Sequence, residues 1–223
     1  MIKMKSVVVF GLGQFGKSLA LSLSKAGADV MAVDRDEEIV ASVAPHVTYA
    51  AVADLGNADA IAGLGLSNMD IAVVAVASDL SASILSVVIS KEMGIPYVIA
   101  KASGERMGVI LKRTGADRII YPEAEMGERT ARVLMSNDFL EYFDIDDNLC
   151  IVEMKPKKEW IGKSLKQLNL RERYSINVAA VKSHNEMRSS IDPNKPLKEN
   201  SDLLIITERD NLKNLNRNQK PSR

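Results

Sequence analysis

The sequence predicts an α/β fold in which a doubly wound parallel sheet is followed by a smaller α+β domain. Three observations predict it. The apolar run Val7-Val8-Val9-Phe10 breaks into Gly11-Leu12-Gly13-Gln14-Phe15-Gly16 and then into a helical pattern. Strand-like and helix-like stretches alternate from there to Ile120 with little intervening chain. From Leu149 the rhythm changes to short strands around one short helix. Alternation of the first kind builds parallel sheets covered by helices, and 223 residues at 46% hydrophobic content suffice for two cores.

Taken in order, Val7–Phe10 reads as a buried first strand, and the glycines as the tight turn of a G-x-G-x-x-G motif. Ser18 to Leu23 continues as helix, Gly27 closes it, and a second strand ends at Val33-Asp34. Asp36-Glu37-Glu38 opens the next helix with charges suited to its N-terminus, and Ala44-Pro45 stops it. A third strand over 47–52 leads to Asp54 and a helix over 58–64. The run Ile71 to Ala77 lacks polar alternation, as a parallel strand covered on both faces requires. Ser78-Asp79 caps a helix from Leu80 to Met93, Gly94-Ile95-Pro96 ends it, and Tyr97 to Ala100 supplies a fifth strand. A helix near Met107–Arg113 and a strand at Arg118–Ile120 complete a Rossmann-like sheet.

Beyond the sheet, Met126–Met135 continues as helix, and the aromatic stretch Phe139-Leu140-Glu141-Tyr142-Phe143 reads as core or as a dimer contact. The polar Asp144–Asn148 reads as a domain boundary; its acids lack the spacing and the glycine of a calcium loop. In the second domain, 149–154, 176–181 and 203–207 read as strands and Lys163–Leu168 as the start of a capped helix. Trp160 is expected to anchor packing, and the chain after Asn211 to fray.

Ligands of doubly wound sheets bind outside the carboxyl ends of the strands. The glycine loop (Gly11, Gly13, Gln14, Phe15, Gly16), Asp34, Asp54, Ser78, Asp79 and Lys101 meet that condition. Asp34 stands about 20 residues beyond the glycines, where an acidic side chain accepts hydrogen bonds from a ribose hydroxyl. Each position has a plainer reading as well: Asp34 and Asp54 as turn residues, Ser78-Asp79 as a helix cap, Lys101 as a solvated turn residue. Asp34 disfavours NADP by repelling its extra phosphate, whereas Arg35 could accommodate phosphate or stack on adenine. ATP, ADP and NAD(H) stay open, since all share an adenosine and a diphosphate.

Lys+Arg and Asp+Glu number 29 each, so no overall field draws the chain to nucleic acid. The single cysteine, Cys150, excludes an internal disulfide and a multi-cysteine metal site and fits a reducing cytoplasm. No stretch approaches the roughly 20 apolar residues of a membrane span, so a membrane role is expected only through a partner.

Four stretches carry a resemblance. Val8-Val9-Phe10-Gly11-Leu12-Gly13-Gln14-Phe15-Gly16-Lys17-Ser18-Leu19, Ala32-Val33-Asp34-Arg35-Asp36-Glu37-Glu38, Gly115-Ala116-Asp117-Arg118-Ile119-Ile120-Tyr121-Pro122-Glu123 and Met126-Gly127-Glu128-Arg129-Thr130-Ala131 together resemble the KtrA/TrkA-type RCK (KTN) regulatory subunits of bacterial potassium transport. The likeness runs from Val7 to about Leu215.

The resemblance implies a nucleotide-binding RCK_N domain over 1–136, a crossover helix and linker over 137–147 packed on a partner subunit, an α+β RCK_C domain over 148–215 and a flexible tail over 216–223. It implies ATP/ADP or NAD(H) on the glycine loop, Asp34 on the ribose, Asp54 in the adenine pocket, and Ser78, Asp79 and Lys101 around the nucleotide. It further implies a divalent cation held by Glu123 and its symmetry mate between two subunits. Read from the residues alone, Pro122-Glu123 is an ordinary helix opening. Cyclic di-AMP in the second domain is implied at Arg171, although Asn177 departs from the more usual apolar residue and the residues alone favour Arg171 as a solvated helix-end charge. Gln14 stands where relatives often carry arginine, so weaker ATP-over-ADP discrimination or a shift toward NAD(H) is expected. The implied partners are a homodimer built into an octameric ring and a membrane potassium-translocating subunit, with the chain at the cytoplasmic face.

No catalytic constellation emerges, since neither His46 nor His184 stands where a general base is credible. A ligand-gated regulatory subunit is the expected function. A small NAD(H)-dependent oxidoreductase is the alternative, and a DNA-binding redox repressor is disfavoured by balanced charge and the missing recognition-helix domain.

Overall fold

The structure, a computed structural model, describes residues 4–76, 79–135, 138–183 and 186–217. The chain divides into two compact units between Ala124 and Glu125.

The first unit is a parallel sheet of six strands: β1 (Ser6–Phe10), β2 (Asp29–Asp34), β3 (Tyr49–Val52), β4 (Ile71–Val74), β5 (Tyr97–Lys101) and β6 (Arg118–Ile120). Their order is β3-β2-β1-β4-β5-β6. Side chains of a strand alternate between faces, and β1 serves both cores: Val8 and Phe10 join one apolar cluster, Val7 and Val9 the other. Helices α1 (Gln14–Lys25) and α2 (Glu37–Val43) cover the face of Val7 and Val9, contributing Ala20, Val40 and Val43. Helices α3 (Ala58–Ala62), α4 (Leu80–Glu92) and α5 (Glu105–Arg113) cover the face of Val8 and Phe10, contributing Ile61, Val87 and Leu111. Both faces are thus dry, which is why the strands read as near-continuous apolar runs.

Small polar residues let α4 approach closely. Ser83, Ser86 and Ser90 are fully buried, and their hydroxyls donate to the carbonyls of Asp79, Ala82 and Ser86. No buried hydroxyl is left without a partner in this stripe. The chain leaves β1 toward β2 and β3, then returns to place β4 on the other side of β1. That reversal opens a crevice at the carboxyl ends of β1 and β4.

Helix α6 (Pro122–Leu134) follows, and then an antiparallel sheet in the order β10-β9-β11-β8-β7. Its strands are β7 (Phe139–Asp144), β8 (Leu149–Met154), β9 (Asn177–Ser183), β10 (Glu186–Arg188) and β11 (Asp202–Glu208). Trp160, buried at 1% exposure, packs 5.7 Å from Tyr174 in the core beneath the sheet. Short helices α7 (Leu165–Leu168) and α8 (Leu170–Tyr174) close that core, α7 opening with a capping box between Ser164 and Gln167.

Two expectations are corrected here. The segment expected as crossover helix and linker over 137–147 holds strand β7, paired with β8 through Tyr142↔Val152 and Asp144↔Cys150. Its aromatic residues suit a pleated half-buried surface, and Asp146 builds the hairpin turn by accepting from the N–H groups of Asn148 and Leu149. Arg129 and Arg132 of α6 pair with Glu141 and Asp144, so α6 from Glu125 onward belongs to the second unit rather than ending the first at 136. Nor does the chain fray after Asn211: α9 (Arg209–Arg217) buries Leu212 and Leu215, three residues apart, against the core. Of the expected flexible tail, 218–223 lies outside the described residues, as does His184.

Candidate functional site

A cavity of ≈ 760 Å³ lies at the carboxyl ends of β1, β2, β3 and β4, lined by Gly11, Gly13, Asp34, Arg35, Asp54, Asp79 and Lys101 among others. The glycine turn is shaped by close backbone approach. Gly11 has φ +88°, and a Cβ there would meet Val76 Cγ2 at 2.8 Å. A Cβ on Gly16 would fall 1.9 Å from the Gly11 carbonyl oxygen, so the α1 N-terminus rests directly on the turn. Gly13, by contrast, has open space within 4 Å of such a Cβ. The α1 N-terminus carries no side-chain cap. A turn of this build leaves backbone N–H groups available to an anionic ligand.

Asp34 ends β2 and ties it to the glycine turn. Its Oδ2 accepts from the Leu12 N–H at 2.6 Å and its Oδ1 from the Asp36 N–H at 3.0 Å. A carboxylate oxygen has two lone pairs, so capacity remains for a ligand hydroxyl. Asp54 makes a tight turn by accepting from the Gly56 N–H at 2.9 Å, and Asp79 caps α4 by accepting from the Ala82 N–H at 3.0 Å. Both plainer readings, turn and cap, therefore hold alongside their place in the cavity wall.

Lys101 differs from its solvated reading. It is the last residue of β5 and only 8% exposed. Its Nζ donates to Glu123 Oε1 at 2.5 Å and lies 5.8 Å from the Phe15 ring centroid. The Lys101 ammonium holds the Glu123 carboxyl below its ordinary value against the opposing effect of burial. Asp34, Asp36, Asp54 and Asp79 face Arg35 and Lys101 across one cavity, which gives the wall an acidic excess.

Of the positions inferred from sequence, Gly11, Gly13, Asp34, Arg35, Asp54, Asp79 and Lys101 come together at the cavity. Gln14, exposed, and Phe15 and Gly16 sit beside it in the first turn of α1 without lining it, and Ser78 lies outside the described residues. Sequence reasoning missed Asp36, Ile39, Leu55, Val76 and Leu80 in the wall. Each lies within a few residues of a strand's carboxyl end, so extending the strand-end rule by one helical turn finds them.

Glu123 opens α6 beside Lys101, and the described residues contain no group of three or more His, Cys, Asp or Glu side chains that could hold a metal ion. In the second unit a smaller cavity of ≈ 280 Å³ is lined by Leu165, Val181, Arg188, Ile191, Pro196 and Leu197 among others, and neither Arg171 nor Asn177 borders it. Arg171 is exposed on α8 and Asn177 is exposed at the start of β9. No helix of the described residues is long and apolar enough to cross a membrane.

Comparison with known proteins agrees with this architecture. The TrkA-N domain model matches residues 7–122 and the TrkA-C domain model residues 149–220. The chain is 34% identical over 212 residues to Ktr system potassium uptake protein A of Bacillus subtilis, covering 95% of this chain and 96% of that one. It is 33% identical to Ktr system potassium uptake protein C of the same organism, covering 91% of both, and 32% identical to protein A of Vibrio alginolyticus, covering 94% and 96%. Among solved structures, the GsuK channel superposes with a TM-score of 0.65 at 16% identity, over 96% of this chain and 39% of that one. The GsuK RCK domain gives 0.64 at 16% identity, over 96% and 47%. The chain thus spans under half of those structures, and they speak to the fold. Two domain matches in order and similarity over nearly the full length of three Ktr proteins establish that the chain belongs to the TrkA-N/TrkA-C family of potassium-uptake proteins.

Proposed function

We propose that the chain is the nucleotide-binding regulatory subunit of a Ktr/Trk-type potassium transporter, a regulator and not an enzyme. The carrying observation is the glycine-turn cavity at the sheet's switch point, in a chain alike over 95% of its length to a potassium uptake protein. An adenine nucleotide lies with its phosphates over Gly11, Gly13 and the α1 N-terminus and its ribose on Asp34. Asp54 and Arg35 border the base, and Asp79 and Lys101 face the phosphate end. Asp34 disfavours NADP by repulsion.

Binding alters a homodimer and the ring it builds, and so sets potassium flux through a membrane partner at whose cytoplasmic face the chain sits. The shift available equals the nucleotide's difference in affinity for the two conformations. The acidic wall and Gln14 support a ligand of modest negative charge, such as NAD(H) or ADP, over ATP. NAD is named in one solved GsuK channel, and cyclic di-AMP in a KtrA C-domain complex that superposes only weakly on this chain. A divalent cation at Glu123 needs a second copy of the chain to complete its ligands.

Titration calorimetry of the purified chain with NADH, NAD, ADP and ATP, paired with light scattering of the oligomer, tests the reading. Micromolar binding with a change in assembly or shape, without NADH oxidation, supports it. Absence of binding at millimolar ligand, or turnover of NADH with a carbonyl substrate, overturns it. Potassium-dependent growth of an uptake-deficient strain expressing a membrane subunit, with and without the Asp34→Ala chain, tests the transport role.

A further inference from the structure

The ammonium of Lys101 is buried, borders the nucleotide cavity, and is held by the carboxylate of Glu123, whose side chain is 68% exposed. A buried cation needs an anionic partner, and here an exposed surface carboxylate provides it. Glu123 does not itself line the cavity. The Lys101 Nζ lies 5.8 Å from the ring of Phe15, in the first turn of α1, so it already faces the phosphate-binding end.

The geometry points to Glu123 as an intramolecular competitor of the nucleotide phosphate: phosphate binding takes Lys101 from Glu123 and sets that carboxylate free at the opening of α6. This rests on the cavity being an adenine-nucleotide site. Two consequences follow from charge. A ligand without phosphate gains nothing from displacing Glu123, whereas each phosphate oxygen competes directly for the ammonium. Lys101 also takes over the reading of phosphate charge that Gln14, a neutral side chain, cannot perform. The apparent affinity for phosphorylated ligands is therefore reduced by the stability of the Lys101–Glu123 pair. For a pair with one exposed member that amounts to about two- to fivefold.

Calorimetry in EDTA with ADP and with adenosine, on wild type, Glu123→Gln, Lys101→Met and the double variant, tests the exchange. Glu123→Gln should bind ADP about two- to fivefold more tightly and adenosine unchanged, and the gain should vanish on the Lys101→Met background. Equal gains for adenosine and ADP assign the effect to the shape of the site, and a gain for ADP that survives in the double variant assigns Glu123 a diffuse repulsion of phosphate; either overturns the exchange. An unchanged ADP affinity in Glu123→Gln also overturns it while leaving the nucleotide site intact. Failure of the wild-type chain to bind any adenine nucleotide overturns both. Glu123→Gln keeps an oxygen that can accept from the Lys101 ammonium, and thermal melting together with the adenosine affinity of each variant reports whether its site is intact.

Discussion

Asp34 Oδ2 accepts a hydrogen bond from the Leu12 backbone N–H at 2.6 Å, joining the end of β2 to the glycine turn across 22 positions of chain. Leu12 is 2% exposed, so removing the carboxylate leaves a largely buried N–H without its partner. Asp34→Ala should cost about 1–3 kcal/mol of stability, the cost of an unpaired buried donor. It should also weaken nucleotide binding by at least about tenfold, because the ribose contact and the shape of the turn are lost together. Thermal melting and calorimetry on the same preparation read both effects.

The glycines separate fold from binding. A Cβ at Gly16 would stand 1.9 Å from the Gly11 oxygen, with backbone that cannot swing away, so Gly16→Ala should destabilise the first unit by about 2 kcal/mol or more. At Gly13 nothing lies within 4 Å and φ is −60°, so Gly13→Ala should melt as wild type does. Its methyl instead fills space above the turn, and nucleotide affinity should fall severalfold. Unchanged nucleotide affinity in Gly13→Ala would remove Gly13 from the phosphate cradle.

Gln14 is exposed at the start of α1, beside the cavity rather than in its wall. Gln14→Arg adds a guanidinium next to an acidic cavity without disturbing packing. The ratio of ATP to ADP affinity should rise about three- to tenfold, with most of the gain lost between 50 and about 500 mM salt. A salt-independent ratio equal to that of wild type would exclude the position from phosphate reading.

The strand-turn-helix opening and the succession of strands and helices in the first unit were legible because burial on both faces leaves long apolar runs, and because glycine punctuates the turns. Most of the cavity's polar residues were legible for the same reason, since they stand just beyond those runs; Asp36, read as a helix opening, was not. What escaped depends on pairing between distant residues. Strand β7 is fixed by its ladder with β8 and by the ion pairs Arg129–Glu141 and Arg132–Asp144, none of which has a local signature. The burial of Lys101 is likewise invisible locally, because a lysine at a strand's end before Ala102-Ser103-Gly104 reads as a turn residue. Helix α9 hid its two buried leucines in a composition rich in Asn and Arg.

Asp117 gives the first unit a defined acid response. Burial works against its charged form, but the Val98 N–H at 2.7 Å and Lys91 Nζ at 2.9 Å outweigh it and hold the carboxyl below its ordinary value of 3.8. A depressed carboxyl contributes stability that is fully present above its ordinary value and is lost as pH falls through the folded one. The side chain is 35% exposed, so solvent screening limits the contribution to about 1 kcal/mol. Asp117→Asn should therefore lower stability at pH 7 by about that amount and flatten the fall in stability below about pH 4. Urea melts at pH 7, 4 and 3 measure it; parallel pH curves for the two proteins would contradict the assignment.

In the second unit Lys157 is 7% exposed, its Nζ lies 5.8 Å from the ring centroids of both Trp160 and Tyr174, and it donates to the Leu215 carbonyl near the end of α9. The last carbonyls of a helix have no partner within it, and this end is docked against the core by Leu212 and Leu215. A buried ammonium there satisfies an otherwise orphaned acceptor, opposes the negative end of the helix dipole, and gains from two aromatic faces. Lys157→Met keeps length and apolar contact while removing the donor and the charge, so the cost falls on the carbonyl and not on packing. Stability of the second unit should drop by about 1–3 kcal/mol. Amide exchange should accelerate most in α9, less in the strands above it, and not at all in the parallel sheet. Uniform acceleration through the second unit would mean that Lys157 supports the core at large, whereas unchanged exchange in α9 would show that leucine burial alone holds the helix.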